Sequence, residues 1–216
     1  ALGLGRMRGF RLPRNFEHPY AARSMQDFWR RWHISLSSWF RDYVYIPLGG
    51  SREGTARTYL NLLAVWVLTG LWHGSTLNFL LWGLLLFALI ALERAGWGRV
   101  LARSRVISRV YMVLMIPLSW MLFAIPSVSQ IGVYLGRLFP IVSRGIAVNA
   151  GDWLQYGKQY WWLLVLGIVF STPGPEKLWN RIRGTWLGTV ILAVLFWACV
   201  YCMSVATNDP FMYFSF

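Results

Sequence analysis

Of the chain's 216 residues, 56% are hydrophobic, only 13% are charged and 14 are tryptophan, which excludes a soluble globular domain and makes this an integral membrane protein. The formal net charge of +13 comes from 21 Lys and Arg against 8 Asp and Glu. Those basic residues fall in short loops between apolar runs, where membrane orientation and lipid headgroups account for them, and no nucleic-acid partner is expected.

The chain opens at Ala1 with Leu2-Gly3-Leu4-Gly5-Arg6, neither an initiator methionine nor a signal peptide, so it is expected to belong to a longer protein. Those glycines follow no strand and have no phosphate-loop spacing. The first organised element begins at Ser24-Met25-Gln26-Asp27, the spacing of a capping box with Asp in place of Glu. Projected at ~100° per residue, Phe28, Trp29, Trp32, Leu36, Trp39, Phe40 and Tyr43 fall within an arc of roughly 120°. Arg30, Arg31, Ser35, Ser37, Ser38, Arg41 and Asp42 take the opposite side, and only Ile34 is misplaced. The pattern predicts an amphipathic helix over about 24–45, lying in the membrane interface or against the mouth of a helix bundle. His33 projects at the border of the two faces. Tyr45-Ile46-Pro47-Leu48-Gly49-Gly50-Ser51 then ends the helix in a tight turn.

The longest uncharged stretch runs between Arg57 and Glu93 and holds one histidine, His73, in Thr69-Gly70-Leu71-Trp72-His73-Gly74. A single helix over Thr58 to Leu92 would be roughly 50 Å long at ~1.5 Å per residue, against a bilayer core of ~30 Å. The run is therefore expected to break, at Gly70 and Gly74, which puts His73 near membrane depth at a helix interruption. Irregular backbone survives there only inside protein or beside a wet cavity, and ionisable groups at such depth are functional by default. The structural alternative is an imidazole satisfied by a neighbouring carbonyl, holding two helices together.

Further apolar runs cover Val106 to Ile125, Tyr160 to Ser171 and Trp186 to Ala206. The middle one is short for a span, which tilting or the interfacial rings of Trp161 and Trp162 would accommodate. With Tyr59 to Leu92 counted twice, residues 59–216 are read as about five membrane helices following a basic, aromatic interfacial segment at 1–58. Arg94, Arg99, Arg103, Arg105 and Arg109 make one loop strongly basic, as do Lys177, Arg181 and Arg183 another, so both are expected in the cytoplasm. The segment from Pro126 to Lys158 and the tail after Thr207 are expected on the opposite side. Cys199 and Cys202 have no second Cys/His pair and sit among Phe196, Trp197, Val200 and Met203, where cysteine behaves as a small hydrophobe. No metal site is expected.

With three histidines, eight acids and no GxSxG or HExxH sequence, histidine is the remaining chemical group. A buried imidazole can take the proton of a hydroxyl as that hydroxyl attacks a carbonyl. Spacing alone does not dictate acyl transfer.

The run from Asp27-Phe28-Trp29-Arg30-Arg31-Trp32-His33 through Trp39-Phe40-Arg41-Asp42-Tyr43 to Ile46-Pro47-Leu48-Gly49-Gly50, followed by Gly70-Leu71-Trp72-His73-Gly74, resembles the membrane-bound O-acyltransferase family. Its bacterial alginate O-acetylation branch is the most similar, favoured by the Pro47–Ser51 turn and by the ending Asn208 to Phe216. Proteins that D-alanylate teichoic acid or acetylate peptidoglycan are relatives. The resemblance implies an all-helical transmembrane ring of which residues 1–216 are the C-terminal part of a single domain, the N-terminal half being absent here.

By motif, His73 matches the family's membrane-embedded catalytic histidine and His33 the second histidine of the aromatic, basic helix. Trp32, Arg41, Asp42, Asn61 and Trp72, in or between the same stretches, are expected to bind substrate. The resemblance implies no bound cofactor, acetyl-CoA as the cytoplasmic acyl donor, and a bacterial inner-membrane, multi-pass location. The acetyl group would pass to a hydroxyl of an exported polysaccharide such as alginate, directly or through a periplasmic partner O-acetyltransferase. D-alanyl or peptidoglycan O-acyl transfer on the same fold, or a non-catalytic acyl conduit, are the alternatives. Trp120-Met121-Leu122-Phe123-Ala124 resembles a segment that often ends in Arg, so a charge-based role is not expected at Ala124.

Overall fold

The computed structural model of the chain describes residues 2–139, 149 and 151–205; the resembling tail from Asn208 to Phe216 lies outside the described residues. Two compact units divide between Gln155 and Tyr156. The first contains α1 (Leu2–Met7), α2 (Met25–Arg31), α3 (Ile34–Phe40), α4 (Thr55–His73), α5 (Leu77–Leu92), α6 (Gly98–Arg103), α7 (Arg105–Ala124) and α8 (Val128–Leu138). A π-turn, Arg41–Tyr45, continues α3, and another, Glu93–Trp97, joins α5 to α6. All of the regular structure among the described residues is helical.

The α4–α5 hairpin is the frame on which the first unit is built, and two glycines set its spacing. A Cβ on Gly70 would lie 2.6 Å from the carbonyl oxygen of Phe79, and one on Gly83 would run into the carbonyl of Trp66. Backbone therefore packs on backbone, as small residues permit between membrane helices. The break falls at Gly74, whose φ of 156° and ψ of 169° suit glycine alone, while Gly70 stays inside α4 as a packing residue and is not a second break. At the other end of α4, the Asn61 amide donates to the carbonyls of Leu48 (3.0 Å) and Gly50 (2.9 Å), fastening the Pro47–Ser51 turn to the helix.

The segment at 24–45 is helical as expected but interrupted. Trp32 is extended and His33 adopts a left-handed conformation (φ 48°, ψ 55°), so α2 and α3 are separate helices. Distant residues satisfy the ends this break creates. The Asn15 carbonyl accepts from Ile34 N (3.0 Å) and its side-chain oxygen from Ser35 N (2.9 Å), while Glu17 N donates to the Arg31 carbonyl (3.0 Å). Ser37 Oγ donates to the Trp29 carbonyl (3.1 Å). As a result the aromatic arc does not run through: Phe28 and Phe40 are buried, whereas Trp39 and Tyr43 are exposed. Ser24 caps α2 by accepting from Asp27 N (3.1 Å). The Asp27 carboxylate completes no capping box; it pairs with Arg31 at 2.9 Å and accepts from Arg23 N.

Three stretches of the described residues are long and apolar enough to cross a membrane: Leu77–Arg103, Arg105–Ala124 and Trp186–Val205. The second unit holds α9 (Asp152–Phe170) from Tyr156 onward, α10 (Gly174–Ile182) and α11 (Trp186–Val205). α9 is longer than the apolar run predicts, because it starts at Asp152, well before Tyr160. With 19 residues each, α4 and α9 reach about 28 Å at ~1.5 Å per residue, close to the thickness of the hydrocarbon core. Gly188 brings the start of α11 against the Ile182 carbonyl at the end of α10. Cys199 and Cys202 are free thiols on the surface of α11.

Candidate active site

His73 is the last residue of α4 and is 7% exposed. Its Nδ1 is buried without a hydrogen-bond partner among the described residues. This is not an imidazole tied to a neighbouring carbonyl at that nitrogen. Its surroundings are aromatic: the ring centroids of Trp82 and Phe123 lie 5.0 and 5.1 Å away, nearly perpendicular, with Trp72 at 4.8 Å and Phe79 at 6.3 Å. A buried polar atom left unpaired costs ~1–3 kcal/mol, so this nitrogen is a costly group that the described fold leaves open to a hydrogen-bond partner.

Behind those rings stands a second layer. Trp29 of α2 meets Trp66 at 5.0 Å and Trp82 at 5.6 Å. Trp32 meets Trp120 at 5.0 Å, and Trp120 meets Phe123 at 6.0 Å. Two aromatic routes thus connect α2 to His73. His33 follows Trp32 directly, and its Nδ1 is likewise buried and unpartnered among the described residues. Both histidines are thus joined to one aromatic network, His33 through its neighbour Trp32 and Trp120, and His73 through Phe123. The left-handed backbone turns His33 out of the helix in which the sequence pattern places it. Partial burial pushes the His33 imidazole below its ordinary value, which keeps it uncharged near neutral pH.

The residues expected to bind substrate separate. Trp72 is half-exposed beside His73, and Trp32 is held between Phe16, Phe28 and Trp120. Arg41 lines a cavity of about 500 Å³ between the α2–α3 segment and the α4–α5 hairpin. Asp42 is exposed and pairs with Arg41 through both carboxylate oxygens, at 2.7 and 3.1 Å. Asn61 sits roughly 18 Å along α4 from His73 at ~1.5 Å per residue, with its amide committed to the turn. Arg30 and Arg94 join Arg41 on the cavity wall, together with Gln26 and Thr69. Trp29 and Trp66 form part of the same wall, and both pack on Trp82, the ring that touches His73. Among the described residues, no group of His, Cys, Asp and Glu side chains converges as a metal site would.

Sequence reasoning overlooked Asn78. It is 1% exposed, and its amide donates to the carbonyls of Leu122 (3.3 Å) and Phe123 (3.1 Å) at the end of α7. Leu122 needs that donor, because the residue four positions on is Pro126, which has no N–H. Asn78 thereby fixes Phe123 beside His73. An asparagine in an otherwise apolar run and a proline just after an apolar helix were both readable signals, but their pairing needed the fold.

Residues 1–129 match the family model for MBOAT, the membrane-bound O-acyltransferase family. The whole chain is 31% identical to Probable alginate O-acetylase AlgI of Pseudomonas putida, covering 49% of that protein. Over 57% of this chain it is 46% identical to Probable alginate O-acetylase AlgI of Pseudomonas aeruginosa, covering 24% of it. Over 44% of this chain it is 46% identical to Peptidoglycan O-acetyltransferase of Helicobacter pylori, covering 18% of it. The chain thus spans about half the length, or less, of these curated relatives. The matched region contains both histidines and every ring packed around them. An all-helical membrane chain matched over more than half its residues, with its buried histidines inside the match, belongs to the membrane-bound O-acyltransferase family.

Proposed function

We propose that this chain is the C-terminal part of a single-domain O-acyltransferase of about five membrane helices in this part, which moves acetyl from cytoplasmic acetyl-CoA to a hydroxyl of an exported polysaccharide. The observation that carries the reading is the buried, unpartnered Nδ1 of His73 inside its aromatic box. His73 takes the proton of the acceptor hydroxyl while that oxygen attacks the thioester carbonyl. The tetrahedral intermediate then collapses, the C–S bond breaks, and the proton passes to the departing CoA sulfur.

The cavity beside α2 and α3 supports a donor entrance: the guanidinium groups of Arg30, Arg41 and Arg94 suit the phosphates of CoA, and Trp29 and Trp66 lead toward His73. Trp72 and Trp32 shape the path to the histidines. Asp42 and Asn61 serve indirectly, by holding Arg41 and the Pro47–Ser51 turn. His33 assists as an orienting group. The names of the relatives support alginate or a peptidoglycan glycan as acceptor. In this reading the protein sits in a bacterial inner membrane and hands the acetyl group to the glycan directly or through a periplasmic transferase. A D-alanyl donor belongs to the same fold, since Teichoic acid D-alanyltransferase of Bacillus subtilis is 33% identical over 39% of this chain.

The reading is tested with the purified full-length protein in vesicles, supplied with acetyl-CoA and either alginate or peptidoglycan fragments. Acetyl ester on a glycan hydroxyl is the expected product. Failure to turn over acetyl-CoA without an external transferase would replace the enzyme with an acyl conduit. His33→Ala is expected to reduce turnover less than loss of His73 does, and equal losses would make the two histidines one unit.

Orientation gives a separate expectation. In a background lacking Cys199 and Cys202, single cysteines replacing Ser104 and Thr185 should react only with reagents that reach the cytoplasm, because both loops are basic. Labelling of the Ser104→Cys variant by an impermeant reagent on intact cells would reverse the topology. A cysteine replacing Ser215 should react from outside.

A further inference from the structure

We propose that Glu93 is a positioning residue for acyl transfer, holding α2 and His33 in register with His73. The proposal rests on the reading that the two histidines carry the reaction. Glu93 follows α5 directly and is 6% exposed. Its two carboxylate oxygens accept from backbone N–H groups 67 and 68 residues away in sequence: Oε1 from Met25 at 2.6 Å and Oε2 from Gln26 at 3.0 Å.

These are the first two N–H groups of α2, which have no partner within the helix. With Ser24 taking Asp27 N, the opening of α2 is satisfied by one local hydroxyl and one distant carboxylate. The helix dipole adds to the attraction, because its positive end faces the carboxylate. Two bonds from one planar group restrict both the sliding and the turning of α2, which a single bond would not.

What α2 carries explains why its position matters. Trp29 packs on Trp82, which touches His73, and Trp32 packs on Trp120 just before the chain turns left-handed at His33. The α5 helix that ends at Glu93 bears Phe79 and Trp82 on the other side of the same site. Glu93 therefore ties the helix that walls His73 to the helix that delivers His33. Glu93 is buried, bonded to the α2 backbone and absent from the cavity wall, so it acts through α2 and His33 as a positioning residue. A displacement of reacting groups by ~1 Å costs up to ~10²-fold in rate.

The experiment uses the full-length protein with Glu93→Gln, Glu93→Ala, His33→Ala, and His33→Ala combined with Glu93→Gln, each measured for acetyl transfer and for the amount inserted in the membrane. Gln keeps one acceptor oxygen but turns a donor toward the other N–H. The expected losses are about tenfold for Gln and about a hundredfold for Ala, at normal insertion. In the His33→Ala background, Glu93→Gln should cost far less than its tenfold, because the main group it positions is already gone and only the Trp29–Trp82 contact remains to be disturbed.

Wild-type turnover in both Glu93 variants, or losses that multiply in the double variant, would overturn the proposal. So would His33→Ala with wild-type turnover, which leaves the role of His73 standing. Wild-type turnover of His73→Ala would instead defeat the functional reading itself. If Glu93→Ala fails to insert, Glu93→Gln and the double variant decide, and failure of Glu93→Gln to insert as well would make Glu93 a folding residue and end the positioning role.

Discussion

Replacing His73 by alanine in the full-length protein is expected to lower acyl transfer by at least ~10²-fold, the usual contribution of a general base, without loss of membrane insertion. Insertion should survive because Nδ1 of His73 holds no hydrogen bond to any described group, and the α4–α5 hairpin is held by other contacts. The measurement is turnover of acetyl-CoA at saturating donor and acceptor, with membrane abundance followed in parallel. An unchanged turnover number would remove His73 from the chemistry. A loss in proportion to reduced abundance would make it a structural residue of the aromatic box.

Gly83→Val is expected to have an effect of the same order by a different route. A Cβ at this position meets the main-chain carbonyl of Trp66, which cannot rotate aside as a side chain could, and the Gly70 Cα lies 3.5 Å from it. Overpacking of this kind costs ~1–3 kcal/mol or more, and here the relief has to come from separating α4 and α5. That movement carries Trp82 away from His73 and opens the box. Gly132→Ala is the control, since nothing lies within 4 Å of its added Cβ. Activity assays and thermal unfolding of both variants in detergent check the expectation, and a Gly83→Val protein with normal turnover would show that the hairpin spacing is not what shapes the site.

The sequence by itself determined the class of the molecule and the place where its longest apolar run breaks. Composition excluded a soluble domain, and uninterrupted apolar runs of about 20 residues cross a bilayer as helices. The run around His73 was too long to be one helix, and Gly74 was the residue able to end it. These are local or additive properties, and they survive whatever the chain packs against. Tertiary structure decided the rest. The left-handed turn at His33 depends on Asn15, Glu17 and Ser37 satisfying the broken helix ends, and a periodic projection assumes no such break. Gly70 proved a packing residue because its neighbour is the backbone of Phe79, which sequence spacing does not reveal. Asn78 and Glu93 read as one polar residue in an apolar run and one charge at its end. Their partners, at Leu122 and Phe123 and at Met25 and Gln26, lie on other helices. Buried polar side chains find partners by proximity in space, and only the packed helices define which backbone groups are left needing one.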